Sequence, residues 1–438
     1  MSTKPTIDCK KCLMSFHEEF INTRGECVVC NEYRKKWQNR DYEEKEKELI
    51  RICEHYKKRN KNSKYDAIIA FSGGKDSMYA LYLAVEKYGL RPLAVTADNG
   101  LLTSAAHKNM KTVVDQLGVD HVVVTRDKEE LRAIYQAFFR KTRAFCVVCY
   151  ATILNSLYQT AADQDVPLII TGFAYKLESS HFRAPNRYCV EDAFVNIVKE
   201  SIPAEVYGKY LSRDMRKEED MHLIHIFDYV NYNQREIYNV LRNELGWDDL
   251  KGEDKHADCR FHHMLGYLKF ISGDMSSLVF MHPASLLRDG QISVEEFREQ
   301  LAKEKTHFQK IDKKQIDEFV DFFGIEEAFL TEHLDSPKLT DPLVGETDFD
   351  LLREYRERPG ISERELIDKL LNIIRPELKR DGGDIRILEF KDKMLRIEML
   401  GSCRACWMVD LVMMKYLEHL VRTYISEDII IENVQQLV

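Results

Sequence analysis

The stretch Ala67-Ile68-Ile69-Ala70-Phe71-Ser72-Gly73-Gly74-Lys75-Asp76-Ser77 decides how this chain is read. An apolar run of strand type, Ala67 to Phe71, leads directly into a glycine turn, and the residues beyond it have helical character. Unpaired backbone N–H groups at a helix start, with the helix dipole behind them, bind phosphate, and adjacent glycines let the backbone approach phosphate oxygens closely. Lys75 adds a mobile positive charge. The spacing from Gly73 to Lys75 is far too short for the G-x-x-x-x-G-K-[ST] loop, so a different class of phosphate cradle is expected.

Outward from this turn, short apolar runs recur at Pro92 to Thr96, His121 to Thr125 and Pro167 to Thr171, with helix-period segments between them. That alternation is the pattern of an α/β, Rossmann-like, doubly wound parallel sheet, whose ligands sit beyond the C-terminal strand ends. Asp98 and Asn99 after the second strand, and Thr171 and Gly172 after a later one, are therefore expected to share one crevice with Ser72, Gly73, Gly74, Lys75, Asp76 and Ser77. Asp98 suits a nucleoside portion. From about Lys251 to Leu334 the pattern is helical, as in Val294 to Ala302 and Ile316 to Phe323, and reads as an extension packed on the sheet. A proline-bearing acidic stretch, Asp335 to Glu346, precedes a last module of helix, Asp-Gly-Gly-Asp turn, alternating strands, Cys-x-x-Cys, helix and strand.

A length of 438 residues suggests two to four domains and is enough for a full core without disulfide staples. There is no apolar leader at the N-terminus and no run of eighteen apolar residues, so the expectation is a cytoplasmic protein without membrane spans. A net charge of −9 argues against nonspecific nucleic-acid binding by the whole surface. Residues 31–64, with 12 Lys or Arg against 7 Asp or Glu, could still form a local basic face. The competing and favoured reading is a solvated helix, from about Tyr33 to Lys58, with pairs such as Glu43/Lys47.

Eight of the 11 cysteines form four Cys-x-x-Cys pairs: Cys9/Cys12, Cys27/Cys30, Cys146/Cys149 and Cys403/Cys406. In a reducing compartment this spacing favours metal or redox chemistry. Fourteen residues separate the first two pairs, and Gly25 permits a tight turn before the second. Four thiolates at that spacing close a tetrahedron around Zn2+, with an iron centre or unligated thiols as alternatives. Residues 1–30 carry little apolar material, so metal binding would supply much of their folding energy. Cys146 and Cys149 make an incomplete site, with Cys259 preferred over Cys189 as a third ligand. Three cysteines on a 4Fe-4S cluster leave one iron open to exogenous sulfide. Buried structural cysteines and a redox dithiol are the other readings.

Residues from about Tyr65 to Lys303 resemble the PP-loop ATP pyrophosphatases, in particular the N-acetyl sugar amidotransferases and their iron-sulfur, tRNA-thiolating relatives. The resemblance rests on the Ser72 to Ser77 loop, the Cys146/Cys149 pair, Glu244-Leu-Gly-Trp247 and Lys255-His-Ala-Asp-Cys-Arg260. It implies binding of ATP with Mg2+, adenylation of a substrate oxygen, and a cluster on Cys146, Cys149 and Cys259. No second zinc ribbon ends the chain, which makes a tRNA substrate less secure. Instead Ile367 to Val438 resembles the C-terminal domain of NifU-type iron-sulfur scaffolds, through Arg375-Pro, Asp381-Gly-Gly-Asp384 and Gly401-Ser-Cys-Arg-Ala-Cys406. That implies a cluster held by Cys403 and Cys406 between two subunits, hence a homodimer. A thioredoxin-like dithiol is the rival.

The expected organisation is a zinc ribbon over 1–35, a charged helical connector over 36–63, a PP-loop domain over 64–250, a helical extension over 251–345 and an α+β NifU-like domain over 360–438. The expected function is an ATP-dependent sulfurtransferase with Lys75, Cys146, Cys149 and Cys259 as catalytic residues. It would act on a small molecule or tRNA, with a sulfur donor or cysteine desulfurase as partner. The alternatives are transfer of ammonia, from a partner glutaminase, to an N-acetyl sugar nucleotide, and a non-enzymatic cluster carrier.

Overall fold

The computed structural model describes residues 6–17, 21–142, 145–178, 202–203, 205–206, 221–247, 258–271, 278–332, 352, 355–380, 383–401 and 414–434. Cys189, Cys403, Cys406, Asp381 and the stretch Asp335 to Glu346 lie outside them. The chain forms two compact units. One is Met1–Arg132, Ser156–Arg183 and Leu223–Asp335; the other is Ala133–Asn155, Ala184–His222 and Ser336–Val438.

The first unit opens with an antiparallel ribbon of β1 (Thr6–Asp8) and β2 (Ser15–His17), followed by the helix Val28–Lys36. A second helix, Tyr42–Arg59, starts where the Asp41 side chain accepts a hydrogen bond from the Glu44 N–H. The charged stretch is therefore two helices with a break at 37–41. The second is amphipathic: Leu49, Ile52, Cys53 and Tyr56 are buried in the core of the neighbouring sheet. Each such apolar side chain contributes about 1.5–3 kcal/mol on full burial. The basic face opposite is threaded by exposed pairs such as Lys47–Glu44 and Lys57–Glu54, each worth only a few tenths of a kcal/mol.

The main sheet contains β3 (Ala67–Ala70), β4 (Pro92–Asp98), β5 (Asp120–Thr125), β6 (Leu168–Thr171) and β7 (His222–His225), in the order β5-β4-β3-β6-β7. β3 pairs in parallel with β4 and β6, and β4 pairs in parallel with β5. By rank along the sheet the order is third, second, first, fourth, fifth, which is the Rossmann arrangement; its topological switch lies between β3 and β6. β3 and β6 are apolar on both faces and almost wholly buried, as a central parallel strand requires. β5 departs from that pattern. It lies at the edge, with Val122 and Val123 about two-fifths exposed.

The helices Leu278–Arg288, Val294–Gln309 and Lys313–Phe323 form the extension. Leu278–Arg288 joins two cores, because Met281 and Ala284 pack around the N-terminal cysteines while Leu286 packs into the sheet core.

In the second unit, β8 (Gly383–Lys391), β9 (Met394–Gly401) and β10 (Ile430–Asn433) form a three-stranded sheet in the order β10-β9-β8. β8 and β9 are antiparallel through a two-residue turn, Asp392-Lys393, with both residues at positive φ, whereas β9 and β10 are parallel. The helices Glu363–Arg380 and Met414–Tyr424 bury Leu370, Ile374, Leu417 and Val421 in the same core as Ile397.

Candidate nucleotide and thiolate sites

The sequence turn sits at the sheet's switch point. Phe71 continues β3 by donating its N–H to Val95, and the chain then reverses at Gly73, with φ +83°. A side chain there would meet the Ala106 carbonyl oxygen at 2.9 Å, so glycine is required for conformation and for space. Gly74 begins the helix Lys75–Tyr82 in extended conformation and provides no side-chain cap. The helix start is therefore left to backbone donors, the property that makes such a site accept anions. The two serines shape the turn from within. The Ser72 hydroxyl accepts the Gly74 N–H at 3.3 Å, while Ser77 Oγ accepts the Ser72 N–H at 3.2 Å and donates to the Gly74 carbonyl at 2.9 Å.

Lys75 is only 4% exposed, and its Nζ lies 2.7 Å from Asp76 Oδ2. Burial is the largest influence and would drive its pKa down, but Asp76, through charge and hydrogen bond, together with Tyr232 and Tyr238 outweighs burial and holds it well above the usual lysine range. Asp76 is in turn fixed by Tyr232, whose hydroxyl donates to Oδ1 at 2.9 Å. Gly172, just past β6, touches this helix: a Cβ there would lie 2.5 Å from the Asp76 carbonyl oxygen and 2.8 Å from the Ser77 nitrogen. It serves as a close-packing position. Asp98 ends β4 and accepts the Gly100 N–H at 3.0 Å. Thr171 Oγ1 lies 2.6 Å from His225 Nδ1, joining the ends of β6 and β7.

Cys259 is brought to the same rim. It pairs in antiparallel fashion with Leu102 just beyond β4, secured by Thr103 N–H to the Asp258 carbonyl at 3.1 Å and Arg260 N–H to the Leu101 carbonyl at 2.9 Å. This places Asp258 against the turn, where a Cβ on Gly74 would lie 3.3 Å from Asp258 Oδ2. Burial pushes the Asp258 carboxyl above its usual range. Cys259 itself is half-buried.

Cys146 and Cys149 belong to the second unit. They open the helix Cys146–Gln164 one turn apart, Cys146 exposed and Cys149 half-buried, with the Cys149 N–H donating to Phe145. Two accessible thiols on one helical turn suit a shared metal or cluster.

Cys9, Cys12, Cys27 and Cys30 are all buried, and their sulfurs lie within 4.8 Å of one another. Cys9 and Cys30 are 3.7 Å apart, and Cys12 and Cys27 are 3.8 Å apart. A tetrahedron with metal–sulfur bonds of about 2.3 Å has edges of about 3.8 Å, so this donor set fits a four-coordinate metal. Backbone N–H groups of Lys11 and Cys27 donate to Cys9 Sγ, and that of Cys30 to Cys27 Sγ. Arg288, 4% exposed, donates its Nε–H to Cys30 Sγ at 3.2 Å. Burial would lower the Arg288 pKa, but the thiolates of Cys30 and Cys12 raise it and keep the guanidinium charged. Sequence reading missed Arg288, Tyr232 and Asp258; only Asp258 had a local signal, inside the Lys255 to Arg260 run.

Residues 367–432 match the family model of the NifU-like domain. In that region Arg375 donates to Asp384 Oδ1 at 2.7 Å and to the Ile385 carbonyl at 2.9 Å, tying the helix Glu363–Arg380 to the start of β8. An uncharacterised protein of Methanocaldococcus jannaschii is 33% identical over 168 residues, 37% of this chain and 58% of its own length. The chain thus spans little more than half of that relative. Among solved structures, the NMN synthetase from Francisella tularensis is 13% identical, with 63% of this chain and 98% of that one covered at a TM-score of 0.33. The U34-tRNA thiolase NcsA from Methanococcus maripaludis, solved with its [4Fe-4S] cluster, is 14% identical, with 70% and 90% covered at a TM-score of 0.32. No described helix is long and apolar enough to cross a membrane. Residues 367–432 are thus a NifU-like domain, carried by a chain whose other compact unit joins a Rossmann-like sheet to a knot of four cysteines.

Proposed function

We propose that the chain is an ATP-dependent sulfurtransferase that forms AMP and pyrophosphate. One observation carries the reading: at the switch point, the uncapped helix start behind Gly74 meets the Asp258–Cys259 edge, so backbone of a kind suited to phosphate and a thiol share one rim. Ser72, Gly73, Gly74, Lys75 and Ser77 receive the phosphates of ATP with Mg2+, and Asp98 faces the nucleoside. A substrate carbonyl oxygen attacks the α-phosphorus, and the bond to the β-phosphate oxygen breaks to release pyrophosphate. Sulfide then adds to the activated carbon, the C–O bond breaks, and AMP departs with the original oxygen. Lys75 stabilises the charge that develops on the phosphoryl oxygens. Cys146, Cys149 and Cys259 would hold a 4Fe-4S cluster, which would supply sulfide for the displacement because three protein ligands would leave one iron free to carry it.

The NifU-like domain supports sulfur chemistry. A tethered cluster scaffold, with Cys403 and Cys406 shared across a homodimer, presents its cargo at an effective concentration of about millimolar. The four-cysteine knot is assigned zinc and a structural role. The acceptor is a small molecule or tRNA, and the sulfur comes from a donor such as a cysteine desulfurase.

The test is anaerobic purification of wild type and Cys146→Ser, with iron, sulfide and visible absorption measured beside pyrophosphate release. Wild type should hold iron and sulfide and turn over with added sulfide, and Cys146→Ser should lose one cluster's share of iron and sulfide together with the turnover. An iron-free, fully active enzyme would sink the reading. AMP release driven by ammonium and a nucleotide sugar would move it to amidotransfer.

A further inference from the structure

A chain of hydrogen bonds, partly buried, runs from the four-cysteine knot to the glycine turn. The helix Val28–Lys36 starts at the Cys27–Cys30 pair and, one turn on, directs the Tyr33 hydroxyl onto Asp289 Oδ1. Asp289 also pairs with Lys176 Nζ at 2.8 Å, both side chains being 5% exposed. From there two arms reach one backbone segment. Lys176 donates to Asn231 Oδ1 at 2.8 Å, while Gln291 Nε2 donates both to Asp289 Oδ2 at 2.6 Å and to the Tyr232 carbonyl at 3.0 Å. The segment is held on both sides by groups that depend on Asp289, and Tyr232 carries the chain on to Asp76 and Lys75.

This connection is more than the packing of a peripheral knuckle requires. A desolvated tyrosine hydroxyl must find an acceptor, and the acceptor here is the carboxylate that fixes the phosphate-binding lysine. At the other end, Arg288 bonds Cys30 and directly precedes Asp289. Loss of metal would leave mutually repelling thiolates beside Arg288 and loosen the helix that carries Tyr33.

We infer that Tyr232 is a positioning residue for Lys75, and that a metal-filled knot holds Tyr232 in register through Tyr33, Asp289 and Gln291. The inference rests on the ATP-binding reading above. Coupling of two binding sites is reciprocal, so nucleotide should tighten the knot's hold on metal by the factor with which metal tightens nucleotide binding.

The experiment uses the full chain carrying Cys146→Ser, Cys149→Ser, Cys403→Ser and Cys406→Ser, so that the Cys9/Cys12/Cys27/Cys30 knot is the four-cysteine site left, loaded with Co2+, whose absorption reports a four-thiolate site. ATP affinity is measured directly, and Co2+ affinity is measured by competition at buffered free Co2+ with and without ATP. In this parent, ATP should raise Co2+ affinity about tenfold, within the usual 5–150-fold range for coupled sites. Adding Tyr232→Phe keeps the ring and removes the hydroxyl. It should weaken ATP binding about tenfold, leave Co2+ affinity without ATP unchanged, and reduce the ATP effect on Co2+ to about onefold. Tyr33→Phe, at the opposite end, should likewise abolish the ATP effect, which guards against a folding defect in either variant alone. If the parent binds ATP but its Co2+ affinity does not respond, the coupling is wrong and the nucleotide site stands. If the parent binds no ATP, the nucleotide reading itself falls.

Discussion

Replacement of Gly172 by alanine tests the geometry of the phosphate turn with one methyl group. An alanine Cβ would sit 2.5 Å from the Asp76 carbonyl oxygen, 2.6 Å from its carbon and 2.8 Å from the Ser77 nitrogen, where ordinary contact begins at 3.4 Å. The obstructing atoms are backbone, so no side chain can swing aside. The helix Lys75–Tyr82 must retreat by about 0.6–0.9 Å, the difference between those distances and 3.4 Å. Overpacking of this kind costs about 1–3 kcal/mol, and each kcal/mol lowers the melting temperature by about 2–4 °C in a body of this size. The functional loss should be larger. A misplacement of about 1 Å at a reacting centre reduces the rate about a hundredfold, and this helix carries Lys75 and the donors behind Gly74. Pyrophosphate release and ATP affinity would be assayed beside thermal melting. Gly118→Ala provides the control: Gly118 closes the helix Ser104–Leu117 at φ +63° with open space around it, so alanine there costs about 1 kcal/mol of backbone strain without touching the turn. Wild-type ATP binding in Gly172→Ala, with melting no lower than in Gly118→Ala, would refute the close-approach argument.

Asp76→Asn should weaken ATP binding even though it removes a negative charge beside the proposed phosphate site. Lys75 then loses the partner that offsets burial, so its pKa falls and ATP affinity should decline as pH rises; affinity that improves or ignores pH would contradict this. Cys12→Ser should release the knot metal and expose the Met281 and Ala284 face of the helix Leu278–Arg288, seen as one metal ion fewer per chain and new binding of a hydrophobic dye. His121 is held below its usual pKa by burial and by the nearby His107, so the unfolded chain takes up the proton more readily than the fold does. Stability is fully present above about pH 6.5 and is lost as pH falls toward the lower folded value, and His121→Gln should flatten that part of a melting-versus-pH curve. Arg375→Ala should destabilise the NifU-like domain by about 1–3 kcal/mol, through loss of its bonds to Asp384 and Ile385, in a denaturant titration.

What the sequence disclosed and what it withheld divide along contact range. The glycine turn was legible because strand, glycines, lysine and helix are consecutive residues, and the gathering of four cysteines was legible because they come in two local pairs. The break between the first two helices was also written locally: Asp41, followed three residues later by Glu44, is a cap signal that a run of charged residues obscures. Strand β7, His222–His225, gave little sign, because four residues mixing His with Leu and Ile have neither the apolar continuity nor the length of the other strands. β5 looked apolar enough for the interior, yet its place at the edge leaves Val122 and Val123 partly in solvent, and edge position is a property of topology. The residues that discipline the sites had no local signal at all. Arg288 meets Cys30 across 258 positions, and Tyr232 meets Asp76 across 156. Each is a buried polar group whose identity makes sense only beside its partner: an arginine where thiolates need a counter-charge, a phenol where a carboxylate must hold a desolvated lysine. Chemistry that sets a ligand's residue type is thus readable from short spacing, whereas chemistry that sets its charge and position is visible only once the fold has closed the distance.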